Sequence, residues 1–224
     1  MVFPSVIAID GPVASGKTTV GRALAARQGF RFVDTGLMYR AVTYMTLARG
    51  IPETDTVAVG DLAATVHLEI RQDPNGMDRV EADGINVTGS LRTSEVETAV
   101  SVISQIPKVR KALVAQQRRM AEEAGVVMVG RDIGTEVLPG SAKIYLEASA
   151  QERARRRFDE LGHAGVQVNK SDVEANLALR DKLDSEREIG ALRLAPGAVL
   201  VNTEGLTVEQ VVEKIEGLLG PSKR

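Results

Sequence analysis

Val6-Ile7-Ala8-Ile9-Asp10-Gly11-Pro12-Val13-Ala14-Ser15-Gly16-Lys17-Thr18-Thr19 begins as a short apolar run and breaks at Asp10-Gly11 into a glycine-containing loop. Val20, Ala23 and Leu24 then fall on one face of a helical repeat, so the order is strand, loop, helix. Gly11 to Thr18 match GxxxxGK[ST], and they stand where that motif works, after a strand and at the start of a helix. The glycines let successive backbone N–H groups point at phosphate oxygens, and the helix N-terminus adds positive potential. Lys17 offers a compact charge to the β and γ phosphates, and Thr18 a hydroxyl to Mg²⁺. Gly11, Pro12, Val13, Ala14, Ser15, Gly16, Lys17, Thr18 and Thr19 are the expected nucleotide-binding residues.

Further apolar runs at Val126 to Val129, Ile144 to Leu146 and Val199 to Val201, with a shorter one at Phe30 to Val33, alternate with helical segments. That alternation predicts an α/β fold with a parallel sheet covered on both faces. From Val66 to Val87 the period changes to two, with Asn75-Gly76 and Asp83-Gly84 where tight hairpin turns fall, so a small antiparallel meander is expected there. Gly162 to Lys170 is polar and poorly periodic and reads as a mobile loop.

The chain has 224 residues, enough for one sizeable domain, and no cysteine, which excludes thiolate chemistry and disulfides and fits a reducing cytoplasm. A net charge of −2 argues against broad nucleic-acid binding. The first residues lack the basic start of a leader peptide, and no apolar run approaches the ~18 to 20 residues of a membrane span. A soluble, unprocessed protein is expected.

Phosphoryl transfer asks the protein mainly for positive charge on oxygens that grow more negative. Arg153, Arg155, Arg156 and Arg157 crowd one helical segment, Arg153 and Arg157 sharing a face, and either arm a lid or pair with Glu152 and Asp159 on a solvated face. Arg180, Asp184 and Arg187 continue the helix face begun by Val173 and Leu177, as intrahelical ion pairs or as a phosphate-and-sugar site. Gly130-Arg131-Asp132 follows a strand directly, at the sheet edge where ligands of open α/β folds bind.

Asn169-Lys170-Ser171-Asp172 matches the N-K-x-D with which GTPases read guanine. It follows a polar stretch instead of a buried strand, and Ser171 with Glu174 makes a helix capping box. His67 and His163 lack metal-ligand spacing, and His67 reads as structural.

Taken in order, IDGPVASGKTT, VDTGLMYRA, the meander with LRTSEV, Ser101 to Arg110, GRDIGT and RDKLDSER resemble the bacterial cytidylate kinases over nearly the whole chain. The resemblance implies a P-loop nucleoside monophosphate kinase, residues 1–224 forming one domain with a parallel five-stranded sheet. It also implies a monophosphate-binding region near 35–105 enlarged by a three-stranded antiparallel insert at 66–87, and a short lid near 153–170. ATP with Mg²⁺, held through Thr18, would phosphorylate CMP and dCMP, in a cytoplasmic monomer that needs no nucleic acid or membrane. Arg40, Arg131 and Arg180 would hold the acceptor phosphate with Thr35 close by. Ser101, Arg110 and Asp132 would read cytosine, and Asp184 with Arg180 would meet the ribose. Lys17, Arg131 and Arg187, with Arg153 and Arg157 from the lid, would serve the transferring phosphoryl group. Val129 stands where many relatives carry an acidic residue, and Thr35 where a serine is frequent. A kinase for another small acceptor, such as a different monophosphate or shikimate, and a guanine-reading switch are the alternatives.

Overall fold

The computed structural model describes residues 3–73, 76–122, 125–163 and 165–220. The chain divides into two compact units, one from residues 1–32 and 123–224, the other from 33–122.

In the first unit, β1 (Val6–Asp10) pairs in parallel with β6 (Val126–Gly130) and with β7 (Ala142–Glu147), which in turn pairs with β8 (Val199–Asn202). The five-stranded order is β2-β6-β1-β7-β8, with β2 (Arg31–Asp34) leading across the boundary into the second unit. Each apolar run of the sequence is one of these strands, and β6 is buried throughout, as a parallel strand covered on both faces must be. The register sets Asp10 beside Gly130 and Tyr145, so β1 and β6 end together and deliver the glycine loop and the Gly130-Arg131-Asp132 segment to the same sheet edge.

Ile7, Ile9, Val127, Val129, Ile144, Leu146 and Val201 form one apolar cluster with Val20 and Leu24 of α1 (Lys17–Gln28) and with Val211, Val212 and Ile215 of α8 (Val208–Leu219). Truncating one such side chain, as in Leu24→Ala, costs ~2 to 5 kcal/mol. The approach of α1 to the sheet is close: a Cβ on Gly21 would stand 2.6 Å from Val129 Cγ1 and 3.0 Å from the Phe32 ring. Val129, the position without its acidic residue, is thus a packing residue against α1. Thr207 and Gln210 close a reciprocal capping box that starts α8. On the other side of the loop, α6 (Ala150–His163) and α7 (Lys170–Ser185) pack through Ala154, Val173 and Leu177, with Val13 against them.

In the second unit, α2 (Thr35–Ala48) is capped by Asp34, whose carboxylate accepts the Gly36 N–H at 3.0 Å, and α3 (Thr56–Thr65) is capped by Asp55. The meander is present: β3 (Leu68–Gln72), β4 (Asp78–Ala82) and β5 (Ile85–Asn86) make an antiparallel sheet. Asp83 and Gly84 form the β4–β5 turn with φ of 50° and 79°, the left-handed pair a two-residue hairpin requires. Of the other expected turn, Asn75 lies outside the described residues. The unit continues through α4 (Ser94–Ile103) and α5 (Pro107–Met120). Gln116 of α5 ties the sheet in place: its Oε1 accepts the Leu68 N–H at 3.2 Å and its Nε2 donates to Val66 O at 3.0 Å.

Candidate active site

At Gly11 a Cβ would come within 2.2 Å of Leu146 O, so no other residue fits as the chain leaves β1. Ala14 and Gly16 take positive φ, 58° and 94°, and bend the loop back to the first turn of α1, where Lys17 and Thr18 stand. Lys17 is 7% exposed, and its Nζ arches over its own loop to donate to Pro12 O at 2.6 Å, with Ser15 Oγ at 3.4 Å. Two braces come from distant chain. Arg153 Nη1 donates to Val13 O at 3.1 Å, and the Thr203 hydroxyl lies 3.3 Å from Ser15 O and 3.1 Å from Glu147 O. Nothing in the local sequence singles out Thr203, because its loop partner is 188 positions away.

The four clustered arginines separate by position. Arg153 is buried and also donates to Ala148 O and to Asp181 of α7, at 3.2 and 2.7 Å. Arg155 faces solvent and pairs with Glu152 and Asp159, the solvated-face arrangement, and Arg157 pairs with Glu160. Arg156 donates to Glu152 and to both oxygens of Thr203, and its Nη1 stands 3.8 Å from where a Gly16 Cβ would lie. Arg153 is therefore a brace under the loop, and Arg156, not singled out from the sequence, is the arginine beside the helix start. The loop expected over Gly162 to Lys170 is shorter: α6 runs on to His163 and α7 begins at Lys170, and 165–169 between them are non-helical.

Beyond β6, Arg131 and Asp132 lead into a π-helical turn, Ile133–Val137, a wide turn of the kind frequent at functional sites. Asp10, 3% exposed, accepts the Ile133 N–H through Oδ1 at 2.9 Å and the Gly134 N–H through Oδ2 at 2.7 Å. Burial pushes the Asp10 carboxyl up to about 6; the two amides and Lys17 pull against that rise, and the nearby Asp132 charge adds to it.

Arg131, Asp184 and Arg187 come together. Asp184 Oδ2 accepts from Arg131 Nε at 2.7 Å, and Oδ1 accepts from Arg187 Nη2. Burial alone would raise the Asp184 carboxyl, but Arg131, Arg187 and Arg180 outweigh it and hold it below its ordinary value. The α7 face is thus an arginine cluster around one buried carboxylate, in which Asp184 orients the cations.

In the second unit, Thr35 opens α2 and is buried, five residues before Arg40. Arg40 Nε and Nη2 donate to Glu97 Oε1 at 3.0 and 2.9 Å, and Nη1 to Gly36 O at 3.3 Å. Arg110, 2% exposed, lies over the Tyr39 ring with its guanidinium 5.8 Å from the ring centre. Ser101 is on α4 and half-buried.

The guanine-like motif is a helix start. Asn169 occupies the N-cap of α7 and its amide donates to Asp172 Oδ2 at 3.2 Å. The expected cap at Ser171 is corrected by this: α7 begins at Lys170, so Ser171 is already inside the helix. His67 is exposed at the start of the meander, its Nε2 3.3 Å from Glu69 Oε1, and His163 Nδ1 is 2.7 Å from Asp159 O.

A GxxxxGK[ST] loop at the carboxyl edge of a parallel five-stranded sheet, with Arg131 and the arginines around Asp184 of α7, defines the P-loop kinase class. A gluconokinase from Sinorhizobium meliloti shares the fold with a TM-score of 0.50 at 16% identity, over 98% of this chain and 93% of that one. An uncharacterized protein from Eubacterium ventriosum does so with a TM-score of 0.52 at 13% identity, over 96% and 97%. The model of the family described as cytidylate kinase matches residues 7–219. Cytidylate kinase of Geobacillus kaustophilus is 47% identical over 210 residues, 93% of this chain and 93% of that protein. That of Symbiobacterium thermophilum is 44% identical over 211 residues, 94% and 93%. The chain belongs to the cytidylate kinase family.

Proposed function

We infer that the protein transfers the terminal phosphoryl group of ATP to the phosphate of CMP, giving ADP and CDP, and that it accepts dCMP as well. The observation that carries this reading, beside family membership, is the joint ending of β1 and β6. It sets the donor loop and the Arg131–Asp132 segment at one sheet edge, with Arg131 held by Asp184. The attacking group is a phosphate oxygen that is already anionic at neutral pH, so no general base is needed. Rate comes from alignment and from charge placed on the transferring oxygens. Lys17 and Arg187 supply that charge in this reading, Arg131, Arg180 and Arg40 hold the acceptor phosphate with Thr35, and Arg153 keeps the donor loop in shape. Arg157 is kept as a lid residue.

Mg²⁺ binds few protein groups and completes its shell with waters and phosphate oxygens. The residues fit that habit. No cluster of three carboxylate, histidine or cysteine ligands exists among the described residues, and Thr18 offers a hard oxygen beside Lys17. Bound there with ATP, Mg²⁺ would neutralise charge on the donor phosphates. The cytoplasm and a monomeric state belong to the same proposal.

For the base, Asp132, Ser101 and Arg110 are the proposed readers. Cytosine presents an amino donor where uracil presents a carbonyl, and a buried carboxylate facing an acceptor costs ~1 to 3 kcal/mol, roughly 5- to 150-fold. CMP and dCMP therefore outrun UMP. The test is ADP release with CMP, dCMP, UMP and AMP for the wild type, Asp132→Ala and Arg180→Ala. Asp132→Ala narrows the gap between CMP and UMP, whereas Arg180→Ala damages both through the phosphate. If AMP or a non-nucleotide acceptor proved the best substrate of the wild type, the assignment would fall.

A further inference from the structure

Nothing said so far about the reaction gives Asp10 a task, yet it is the one charged residue at the end of an otherwise apolar strand, and it is buried. A carboxylate in such a place is unfavourable unless its oxygens are engaged. Both are, by the N–H groups of Ile133 and Gly134, at 2.9 and 2.7 Å. Those two amides follow Arg131 and Asp132 immediately and open the π-helical turn, which is closed from the other end by Glu136 and Val137 N–H groups on Asp132 O. The segment bearing Arg131 and Asp132 thus leaves β6 at Gly130 and is caught three and four residues later by a carboxylate belonging to β1. Gly134 fits closely there, since a Cβ would lie 3.3 Å from Asp10 Oδ2, 3.2 Å from Lys143 Cγ and 3.3 Å from the Ala195 methyl.

We propose that Asp10 is a positioning residue for the acceptor: by holding the Ile133 and Gly134 amides it aims Arg131 and Asp132 at the bound monophosphate. It serves the acceptor although it is the residue next to the donor loop. This rests on the reading of Arg131 and Asp132 as acceptor contacts. The charged and titratable groups facing Asp10 are Asp132, Lys17 and Tyr145, so a donor-side role through Lys17 is the competing assignment. The two differ in which Michaelis constant moves.

Asp10→Asn keeps the shape but offers one acceptor oxygen, and sets an NH₂ group against the second amide. The variant is expected to raise KM for CMP about tenfold or more, the scale of one lost charge-assisted hydrogen bond, and to lower kcat, while KM for ATP stays within about twofold. Hydrogen exchange at Ile133 and Gly134 should lose protection in the same variant. A changed KM for ATP with KM for CMP intact, or unchanged protection of the two amides, would overturn the proposal.

If Asp10→Asn does not fold, the wild type carries the test. CMP and UMP share one phosphate titration, so the ratio of their kcat/KM values cancels it. That ratio and the exchange protection of the Ile133 and Gly134 amides should fall together as pH drops through about 6, where the Asp10 carboxylate takes up a proton. A flat ratio, or a ratio that falls while the two amides stay protected, would refute the idea. Asp132→Ala separates the failures. If it leaves the preference for CMP intact, the reading of Asp132 is wrong, whereas the amide protection and the two KM values judge Asp10 by themselves.

Discussion

Asp184→Asn removes one negative charge from a cluster of three arginines and changes almost nothing else. The carboxylate is 9% exposed at its side chain, as is Arg187, while Arg131 is 24% exposed. Breaking a buried pair by removing one partner costs ~3 to 5 kcal/mol, because the remaining charge keeps its desolvation penalty. For a chain of this size that is roughly 6 to 20 °C of melting temperature. The pH dependence has a definite sign. The folded Asp184 carboxyl is held below its ordinary value, so its stabilisation is complete above the ordinary carboxylate range and is lost as pH falls through the depressed folded value. The wild type and Asp184→Asn should therefore differ by a constant amount from about pH 5 to 8 and converge below about pH 4. CMP brings a phosphate to the same arginines in the proposed complex, so saturating CMP should raise the melting temperature of the variant more than that of the wild type. Thermal unfolding across pH, with and without CMP, measures all three effects. A variant that melts within about 2 °C of the wild type at pH 7 would refute the account of the cluster.

Lys17→Met deletes the amine that arches over the donor loop, and kcat should drop by roughly 10² to 10³ while circular dichroism and thermal unfolding stay near those of the wild type. Near-normal turnover would remove Lys17 from the reaction. Asp172→Ala loses the contact between Asp172 and Asn169 at the start of α7. It should cost a few tenths of a kcal/mol to about 1 kcal/mol of stability and leave the preference for ATP over GTP unchanged in paired donor titrations. A switch in base preference would restore the guanine reading.

Local pattern was enough to read the donor loop, since strand, glycine turn and helix start are written in consecutive residues from Val6 to Lys17. The meander was legible for the same reason: Asp83-Gly84 adopts the backbone that a tight hairpin demands, whatever lies around it. What the sequence could not supply is contact between distant residues. Asp10 meets Gly134 across 124 positions and Thr203 meets Ser15 across 188, and neither pairing leaves a periodic trace. The arginines show the same limit. Spacing placed Arg153 and Arg157 on one face of α6, but only the packing of Val13 and Asp181 against Arg153 makes it a brace. Ser171 cannot cap α7 because Asn169, with ψ of 145°, is the last extended residue before the helix, so Lys170 is already helical and Ser171 lies inside the first turn.

The meeting of Gly21 with Val129 constrains how this chain can change over time. Helix and strand touch there so closely that the notch above Gly21 has the size of one Val129 methyl group. An alanine at 21 needs a smaller residue at 129 and a shift of the Phe32 ring as well, because its Cβ would stand 2.6 Å from the one and 3.0 Å from the other. An acidic residue at 129 faces a further barrier, since its carboxylate would enter the cluster of Ile7, Ile9, Val20 and Leu24 unless a partner arrived with it. A change at 21 is thus tied to the side chains at 129 and 32, and the order in which substitutions come decides which of them the packing can accept.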